Sequence, residues 1–392
     1  MKSDYANEVY LYFLKGRDSN KPTSSFLFFL FGFLFLLTVV PIFFVISLYM
    51  VLFPRCKEDI ISDYSSICVC RSFATDSKLS FLKGEVRFYS ELMFGNKRGN
   101  LYNVPLIDRI LCVFISYRVF FNDVFLFLSD IKKSNLIQLS VFTYYIVRIP
   151  HKCIYESFLS NLLVKVKPDR VYTGNKEDRF ALVEGKLCQR LGIDLVCYPH
   201  GLEYGFKLPR GVVGNKFYTY SKIVSEIYSD IYSSSSQKFI FSEDIASKLL
   251  LGGRCNKIKY DKVVFFPESK GTEINLKIVK SLFDSKIDFQ IKLHPLDRIE
   301  HYLNIGVDES RFIDSFDEAM QSKYILARKS TVLIEAVYAQ SFACAILIDD
   351  DEVFRFENDF PSLLDPRIRQ FYNVESFVEW LENTNKNRDT NK

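Results

Sequence analysis

The second half of the chain alternates short apolar runs with longer segments in which apolar residues recur every three or four positions. Short apolar runs bounded by polar residues, glycine or proline predict strands, and the longer period predicts helices. Strands are predicted from Asp261, Asp288, Lys323 and Phe342, and helices from Glu273, Thr331 and Asn373. Strands that alternate with helices predict a parallel sheet covered by helices, whose ligands bind beyond the carboxyl ends of the strands.

The first half is less regular but contains one clear βαβ unit. A strand is predicted from Lys167, a helix from Arg179 to Gly192, and a second strand from Ile193. Before this unit, residues 106–130 form a long apolar segment that predicts a helix or a pair of helices. The economical architecture is two Rossmann-type α/β domains with a cleft between them.

The N-terminal region carries a different pattern. No charged residue occurs from Phe26 to Phe53, and about 20 apolar residues suffice to span a bilayer as a helix. We expect a transmembrane or membrane-embedded helix here, kinked at Pro41. A buried core helix and a helix that turns back at Pro41 are the alternatives. Lys and Arg flank both ends, so charge does not orient the segment.

Composition narrows the class of protein. The chain has 392 residues, 48% hydrophobic, with 51 Lys and Arg against 47 Asp and Glu. This near balance argues against a dedicated nucleic-acid binder. The nine cysteines are scattered without a CxxC pair, which argues against a zinc ribbon and fits a reducing compartment. We therefore expect the globular part to face the cytoplasm.

One of the four histidines lies in a defined loop after a predicted strand of the first half. Tyr198-Pro199-His200-Gly201 ends the strand that begins at Ile193, and proline and glycine favour a tight turn there. His200 can act as a general base on a hydroxyl group, because its pKa lies near working pH. Glu203 is the rival base, and a purely structural histidine is the alternative.

Three loops of the second half follow successive strands and carry groups that suit a phosphate. The first contains Ser269 and Lys270, the second Lys292, His294 and Pro295, and the third Ser330 and Thr331. A cation and an imidazole can neutralise a leaving phosphate, and Ser330 is a good N-cap for a helix whose amino end binds anions. Glu335 lies one turn further and can reach a ribose. Asp349–Asp351 reads as a solvated turn, and we predict no metal site.

These motifs resemble those of bacterial GT-B glycosyltransferases of surface polysaccharide synthesis. Lys292–Pro295 resembles the HP motif of bacterial sialyltransferases, and Ser330-Thr331 their serine/threonine motif; in that family both contact the CMP part of the donor. The stretch that ends at His200-Gly201 is similar to a segment of the CDP-glycerol glycerophosphotransferases, in which the corresponding histidine is the proposed base. The acidic pair followed by glycine, which is the base motif of sialyltransferases, has no clear copy here.

The resemblance implies a GT-B-like fold and a nucleotide-sugar donor, with no further cofactor. We expect a tail over 1–24, the membrane helix over 25–53, an acceptor-side domain over 54–245 and a donor-binding domain over 255–392. The expected activity is metal-independent, inverting transfer of a sugar, with CMP-sialic acid as the leading donor. The acceptor would be a lipid-linked or polysaccharide glycan in capsule, O-antigen or lipooligosaccharide synthesis. We place the enzyme at the bacterial inner membrane, with its catalytic part in the cytoplasm.

Two other functions fit the same residues. A polyol-phosphate transferase would use CDP-glycerol or CDP-ribitol on the same layout. A non-catalytic, membrane-anchored partner in polysaccharide assembly would bind no nucleotide. Neither function involves nucleic acid.

Overall fold

The structure is a computed structural model of the chain. It describes residues 65–70, 73–82, 86–89, 149–177, 179–208, 211–252 and 259–389, together with isolated positions between 45 and 125. Contacts within these residues divide the chain into two compact units. The first runs to His200 and includes Lys207–Phe217 and Ser234–Lys238, and the second comprises Gly201–Phe206, Tyr218–Ser233 and Phe239–Lys392.

The first sheet has six strands in the order β2-β1-β3-β4-β5-β6. The strands are β1 (Ser66–Cys70), β2 (Val86–Tyr89), β3 (Arg170–Thr173), β4 (Asp194–Cys197), β5 (Lys216–Thr219) and β6 (Lys238–Phe241). The helices of this part of the chain are α1 (Phe73–Lys78), α2 (Ile149–Val166), α3 (Arg179–Leu191), α4 (Lys222–Ile231) and α5 (Glu243–Leu251). The pairs from β2 through β5 are parallel.

The second sheet has five parallel strands in the order β11-β10-β9-β7-β8. These strands are β7 (Tyr260–Phe266), β8 (Phe289–Ile291), β9 (Ser322–Ala327), β10 (Phe342–Ile346) and β11 (Ile368–Phe371). Its helices are α6 (Thr272–Asp284), α7 (Glu300–Leu303), α8 (Phe316–Ala319), α9 (Thr331–Tyr338), α10 (Asp350–Asn358) and α11 (Val374–Asp389). Short 3₁₀ helices cover Glu309–Arg311 and Pro361–Leu364.

Burial follows the pattern expected of parallel sheets. All six residues of β9 are buried, as expected for a central strand with both faces covered. Helix α6 buries Asn275, Ile278, Val279 and Leu282, which repeat every three or four residues and so lie on one face. The two hydrophobic cores are separate, one around α2, α3 and β3 and one around α6, β7 and β9.

Two parallel-sheet α/β units are therefore confirmed, as are the ten strands and helices predicted for the second half and for the βαβ unit. Helix α3 ends at Leu191, and Gly192 follows with φ +70°, a conformation that glycine adopts readily. One local prediction was wrong. Asp349–Asp351 is not a solvated turn but the start of α10, where the Asp349 carboxylate caps the helix by accepting from the N–H of Asp351 at 3.0 Å.

The predicted membrane segment 26–53 lies outside the described residues, except for Val45, which is helical. No helix in the described part of the chain combines the length and the apolar character that a bilayer span requires. The described positions of segment 106–130 are helical, and apolar side chains such as Ile107, Phe114 and Phe125 are exposed there.

Candidate active site

His200 lies in the loop that follows β4, and a hydrogen bond fixes its ring. Its Nδ1 lies 2.6 Å from the carbonyl oxygen of Gly174, which follows the neighbouring strand β3. Because a carbonyl oxygen only accepts, Nδ1 carries the proton of the neutral ring and Nε2 carries the lone pair. The half-buried imidazole therefore has the tautomer that a general base needs at Nε2.

Gly174, whose carbonyl oxygen holds His200, itself packs closely against α1. A Cβ atom at residue 174 would lie 2.5 Å from Cγ2 of Thr75, a buried residue of α1. A larger residue would therefore force either the Thr75 side chain or the loop that holds His200 to shift. Close packing against α1 thus fixes the backbone of the loop after β3, and that backbone positions the imidazole ring of His200.

Glu203, the rival base, is completely buried within the second unit. Its Oε1 accepts from the N–H of Tyr220 at 3.0 Å, and its Oε2 accepts from the hydroxyl of Ser362. The N–H of Gly205 adds a bond to the carbonyl oxygen of Asp359 at 3.0 Å. Glu203 therefore anchors segment 201–206 to the chain around residue 360, which is a structural role.

The three predicted phosphate loops lie together at one edge of the second sheet. They follow β7, β8 and β9, which are neighbours in the order β9-β7-β8 and run parallel. Ser269 and Lys270 are exposed in the first loop, and His294 and Pro295 in the second. Parallel neighbours place their carboxyl ends at the same edge, so the sheet brings these loops together.

His294 has the opposite tautomer to His200. Its Nδ1 accepts from the N–H of Leu296 at 3.1 Å. Because a backbone N–H only donates, Nδ1 is the acceptor and Nε2 carries the proton. An exposed Nε2–H can donate to an anionic oxygen even when the ring is neutral. The neighbouring Lys292 is half-buried, and its Nζ donates to the carbonyl oxygen of Leu293 at 3.2 Å.

A buried tyrosine holds the same loop. The hydroxyl of Tyr302 donates to Oδ2 of Asp297 at 2.6 Å, and the N–H of Asp297 donates to the carbonyl oxygen of His294 at 2.9 Å. Burial, followed by the hydrogen bond to Asp297, raises the pKa of Tyr302 well above its usual range. The tyrosine therefore stays protonated and keeps donating, which fixes the turn that carries His294.

The third loop ends in a capped helix. Ser330 is the N-cap of α9, and its hydroxyl accepts from the N–H of Val332 at 3.4 Å. Thr331 and Glu335 are half-buried on the first turns of this helix. The N-terminal end of a helix carries partial positive charge, so α9 adds a favourable position for an anion beside the other two loops.

A buried ion network ties these loops together, and its acidic partner Glu352 was not among the predicted site residues. Nε and Nη2 of Arg328 both donate to the carboxylate of Glu352, and the distance from Nε to Oε2 is 3.0 Å. Both side chains are almost completely buried. Nη1 of Arg328 donates to the carbonyl oxygen of Lys270 and to Oδ1 of Asn275, each at 2.9 Å. Arg328 therefore connects the loop after β9 to the loop after β7 and to α10.

Lys329 extends the network. Its Nζ lies 2.7 Å from Oε1 of Glu352 and 3.1 Å from Oε2 of Glu268, and its N–H donates to Oε1 of Glu268 at 2.9 Å. Two cations and two carboxylates thus balance in charge and orient each other. Pairing of this kind makes a buried charge tolerable and fixes the loops around Ser330.

We predict that Glu352→Ala destabilises the protein by about 3–5 kcal/mol, because it leaves the Arg328 charge buried without its main partner. The free energy of unfolding, measured by denaturant titration, checks this value. Glu357→Ala is the matched control, since Glu357 is an exposed carboxylate on the same helix. A loss below about 1 kcal/mol for Glu352→Ala, as for an exposed pair, would contradict the account of the network.

Within the described ranges, no three His, Cys, Asp or Glu side chains come together in a group that could hold a metal ion. Cys68, Cys70, Cys188, Cys197 and Cys344 are buried. Burial, together with the nearby Glu184 and Asp194, raises the pKa of Cys188 to about 12, so this thiol is a packing group and not a nucleophile.

No model of a known protein family and no curated protein matches the chain. Among solved structures, the chain is similar to UDP-GlcNAc 2-epimerase from Methanocaldococcus jannaschii, with 12% identity and a TM-score of 0.43 over 81% of this chain and 99% of that one. The same organism's epimerase in complex with UDP-GlcNAc and UDP has 11% identity and a TM-score of 0.47, over 81% and 91%.

Proposed function

We propose that this chain is a metal-independent, nucleotide-sugar glycosyltransferase of the GT-B type. The observation that carries the proposal is the cluster of three strand-end loops on β9, β7 and β8, with His294 held as an Nε2–H donor. A second observation supports it: His200 in the first unit is held as the tautomer with its lone pair on Nε2. A donor phosphate needs hydrogen-bond donors, and an acceptor hydroxyl needs a base.

The proposed reaction is a single displacement. The acceptor oxygen bonds to the anomeric carbon as the bond from that carbon to the phosphate oxygen breaks. The acceptor proton goes to Nε2 of His200, and the bonding electrons leave with the nucleotide. Lys292, His294 and the amino end of α9 would stabilise the charge that develops on the phosphate, while Glu335 would bind the ribose. A single displacement inverts the anomeric configuration.

His200 is preferred over Glu203 as the base. The Glu203 carboxylate is completely buried and accepts from Tyr220 and Ser362. Removing it from these contacts would release segment 201–206. His200 is half-buried, and its Nδ1 bond leaves the geometry of Nε2 suited to accept a proton. The two residues therefore have separate roles, one in proton transfer and one in anchoring.

CMP-sialic acid is the proposed donor, and CDP-glycerol is the alternative. The acceptor is proposed to be a lipid-linked or polysaccharide glycan. The charge-free run 26–53 supports a membrane-attached enzyme, and the exposed apolar positions of segment 106–130 support an apolar face on the acceptor side. An activated nucleotide donor requires the catalytic part to lie in the cytoplasm, at the inner membrane of a bacterium.

A donor panel tests the proposal. The purified full chain is incubated with CMP-N-acetylneuraminic acid, CDP-glycerol or UDP-N-acetylglucosamine and a glycolipid extract, and free nucleotide is measured. We expect release from the CMP-linked donor that depends on the extract and is insensitive to a metal chelator. Release from CDP-glycerol alone would establish the polyol-phosphate alternative. Release from none of the three would overturn the transferase and favour a non-catalytic assembly partner.

A further inference from the structure

A groove lined by two arginines lies at the opposite end of the second sheet from the phosphate loops. It has a volume of about 560 Å³ and is lined by Gln340, Ser341, Phe342, Pro366, Arg367 and Arg369. These residues come from the end of α9 and the starts of β10 and β11, whereas the phosphate loops follow the ends of strands. A five-residue strand is about 15 Å long, so the groove is distinct from the proposed donor site.

Both guanidinium groups are held in place by aromatic rings. The Cζ atom of Arg369 lies 5.0 Å from the ring centre of Trp380, and that of Arg367 lies 5.1 Å from the ring centre of Tyr338. Stacking of this kind is favourable and leaves the N–H groups at the edge of the plane available to bind. The arginines are therefore pre-oriented, and little side-chain entropy is lost when a ligand binds.

The groove has a net positive lining. Arg369 is exposed and makes no ion pair with any residue in the described part of the chain. Arg367 forks onto the buried carboxylate of Asp365 through Nε and Nη2, at 2.9 and 2.7 Å. Asp365 thus takes one edge of the Arg367 guanidinium group, and Nη1 of Arg367 lies 3.9 Å from Oε1 of Glu243, so the unpaired positive charge of the groove is that of Arg369. A planar guanidinium that lacks a partner matches a carboxylate in a bidentate geometry.

The remaining lining is amphipathic. Phe342 is 38% exposed and its ring is stacked on Tyr324 at a centroid distance of 5.4 Å, so it offers a fixed apolar surface beside Pro366. Gln340 is exposed and has φ +61°, an unfavourable conformation for a residue other than glycine. Its amide can both donate to and accept from hydroxyl groups.

We propose that this arginine groove binds a carboxylated saccharide. The guanidinium of Arg369 would bind the carboxylate, Phe342 and Pro366 would contact the apolar face of the sugar ring, and Gln340 would bind ring hydroxyls. The volume falls within the roughly 300–1,000 Å³ of small-ligand sites. The proposal does not depend on the transferase reaction, because the groove lies away from the phosphate loops.

Trp380 is the one tryptophan of the chain and lies against Arg369, so its fluorescence can report binding at this site. The test is a titration of the full chain with D-glucuronic acid, followed by tryptophan fluorescence and by saturation-transfer NMR of the ligand. D-glucose is the matched neutral probe, and acetate and inorganic phosphate are the anions without a saccharide. We expect saturable binding of glucuronic acid and of none of the other three compounds. The affinity for glucuronic acid should fall about tenfold in Arg369→Gln, as expected for the loss of one hydrogen bond between charged groups.

Arg311→Gln is the control variant, because Arg311 also stacks on a ring, that of Phe289 at 5.0 Å, but does not line the groove. Its affinity for glucuronic acid is expected to match the wild type. Four results would overturn the proposal: no saturable signal, equal binding of glucose, equal binding of acetate or phosphate, or unchanged affinity in Arg369→Gln. Arg369 is exposed, and equal melting temperatures of wild type and variant show that the fold is kept.

Discussion

His200→Ala is expected to lower the rate of transfer by about 10²- to 10⁴-fold while leaving nucleotide affinity unchanged. The reason is the position of the ring. The carbonyl oxygen of Gly174, 2.6 Å away, holds the proton on Nδ1 and so keeps Nε2 basic. Alanine removes the base, whereas the phosphate loops belong to the second unit. Steady-state release of nucleotide in the presence of acceptor, compared with nucleotide binding in its absence, separates the two effects.

Glu203→Gln is the informative companion variant. Its carboxylate is buried and accepts from Tyr220 and Ser362, so the change is expected to lower the melting temperature and to leave the rate per folded molecule nearly unchanged. The opposite pattern would show that Glu203 is the base: His200→Ala with more than half of the wild-type rate and Glu203→Gln inactive but stable. The pair of variants therefore distinguishes proton transfer from anchoring.

His294→Ala is expected to abolish transfer without unfolding the protein. The ring is exposed and its Nδ1 accepts from the N–H of Leu296, so Nε2 is the donor aimed at the leaving phosphate in our account. Alanine removes the donor that would stabilise the negative charge developing on the phosphate, and the loss of one such donor lowers the rate of transfer by about 10²- to 10³-fold. The rate with the CMP-linked donor and the affinity for CMP are the two quantities to measure.

Leu296→Ala provides the control for His294, because Leu296 is an exposed apolar side chain of the same loop. Its rate is expected to stay within about twofold of the wild type, as for surface substitutions in general. A His294→Ala variant that turns over at a near-normal rate would contradict the assignment of this loop to the donor phosphate, whatever the stability of the variant.

The second sheet was predictable because its strands are recognisable from local sequence alone. Strands β7 and β10 each contain a short apolar run, which Pro267 and Glu268 follow after β7 and which Asp349 ends after β10. Parallel order then places the three loops at one edge, so the positions of His294 and Ser330 followed from the sequence. Helix N-caps are equally local, and Ser330 proved to be one.

The roles of the individual side chains were not predictable in the same way. Glu352 pairs with Arg328 across 24 positions, and Glu203 bonds Ser362 across 159, so no local pattern shows either contact. The run of acidic residues that begins at Asp349 is typical of an exposed turn, which concealed the buried carboxylate at its end. The tautomer of His200 depends on the carbonyl oxygen of Gly174, 26 positions away, which only the folded chain brings into place. That of His294 depends on the exact turn made by its own loop.

A titration of the wild-type chain with CMP, CDP and UDP shows directly whether the second unit binds a nucleotide-linked donor. Binding is followed by the rise in melting temperature and by calorimetry, because a ligand that binds only the native state stabilises it in proportion to its affinity. We expect saturable binding that is strongest for CMP and is weakened in His294→Ala. The absence of stabilisation by all three nucleotides would contradict it.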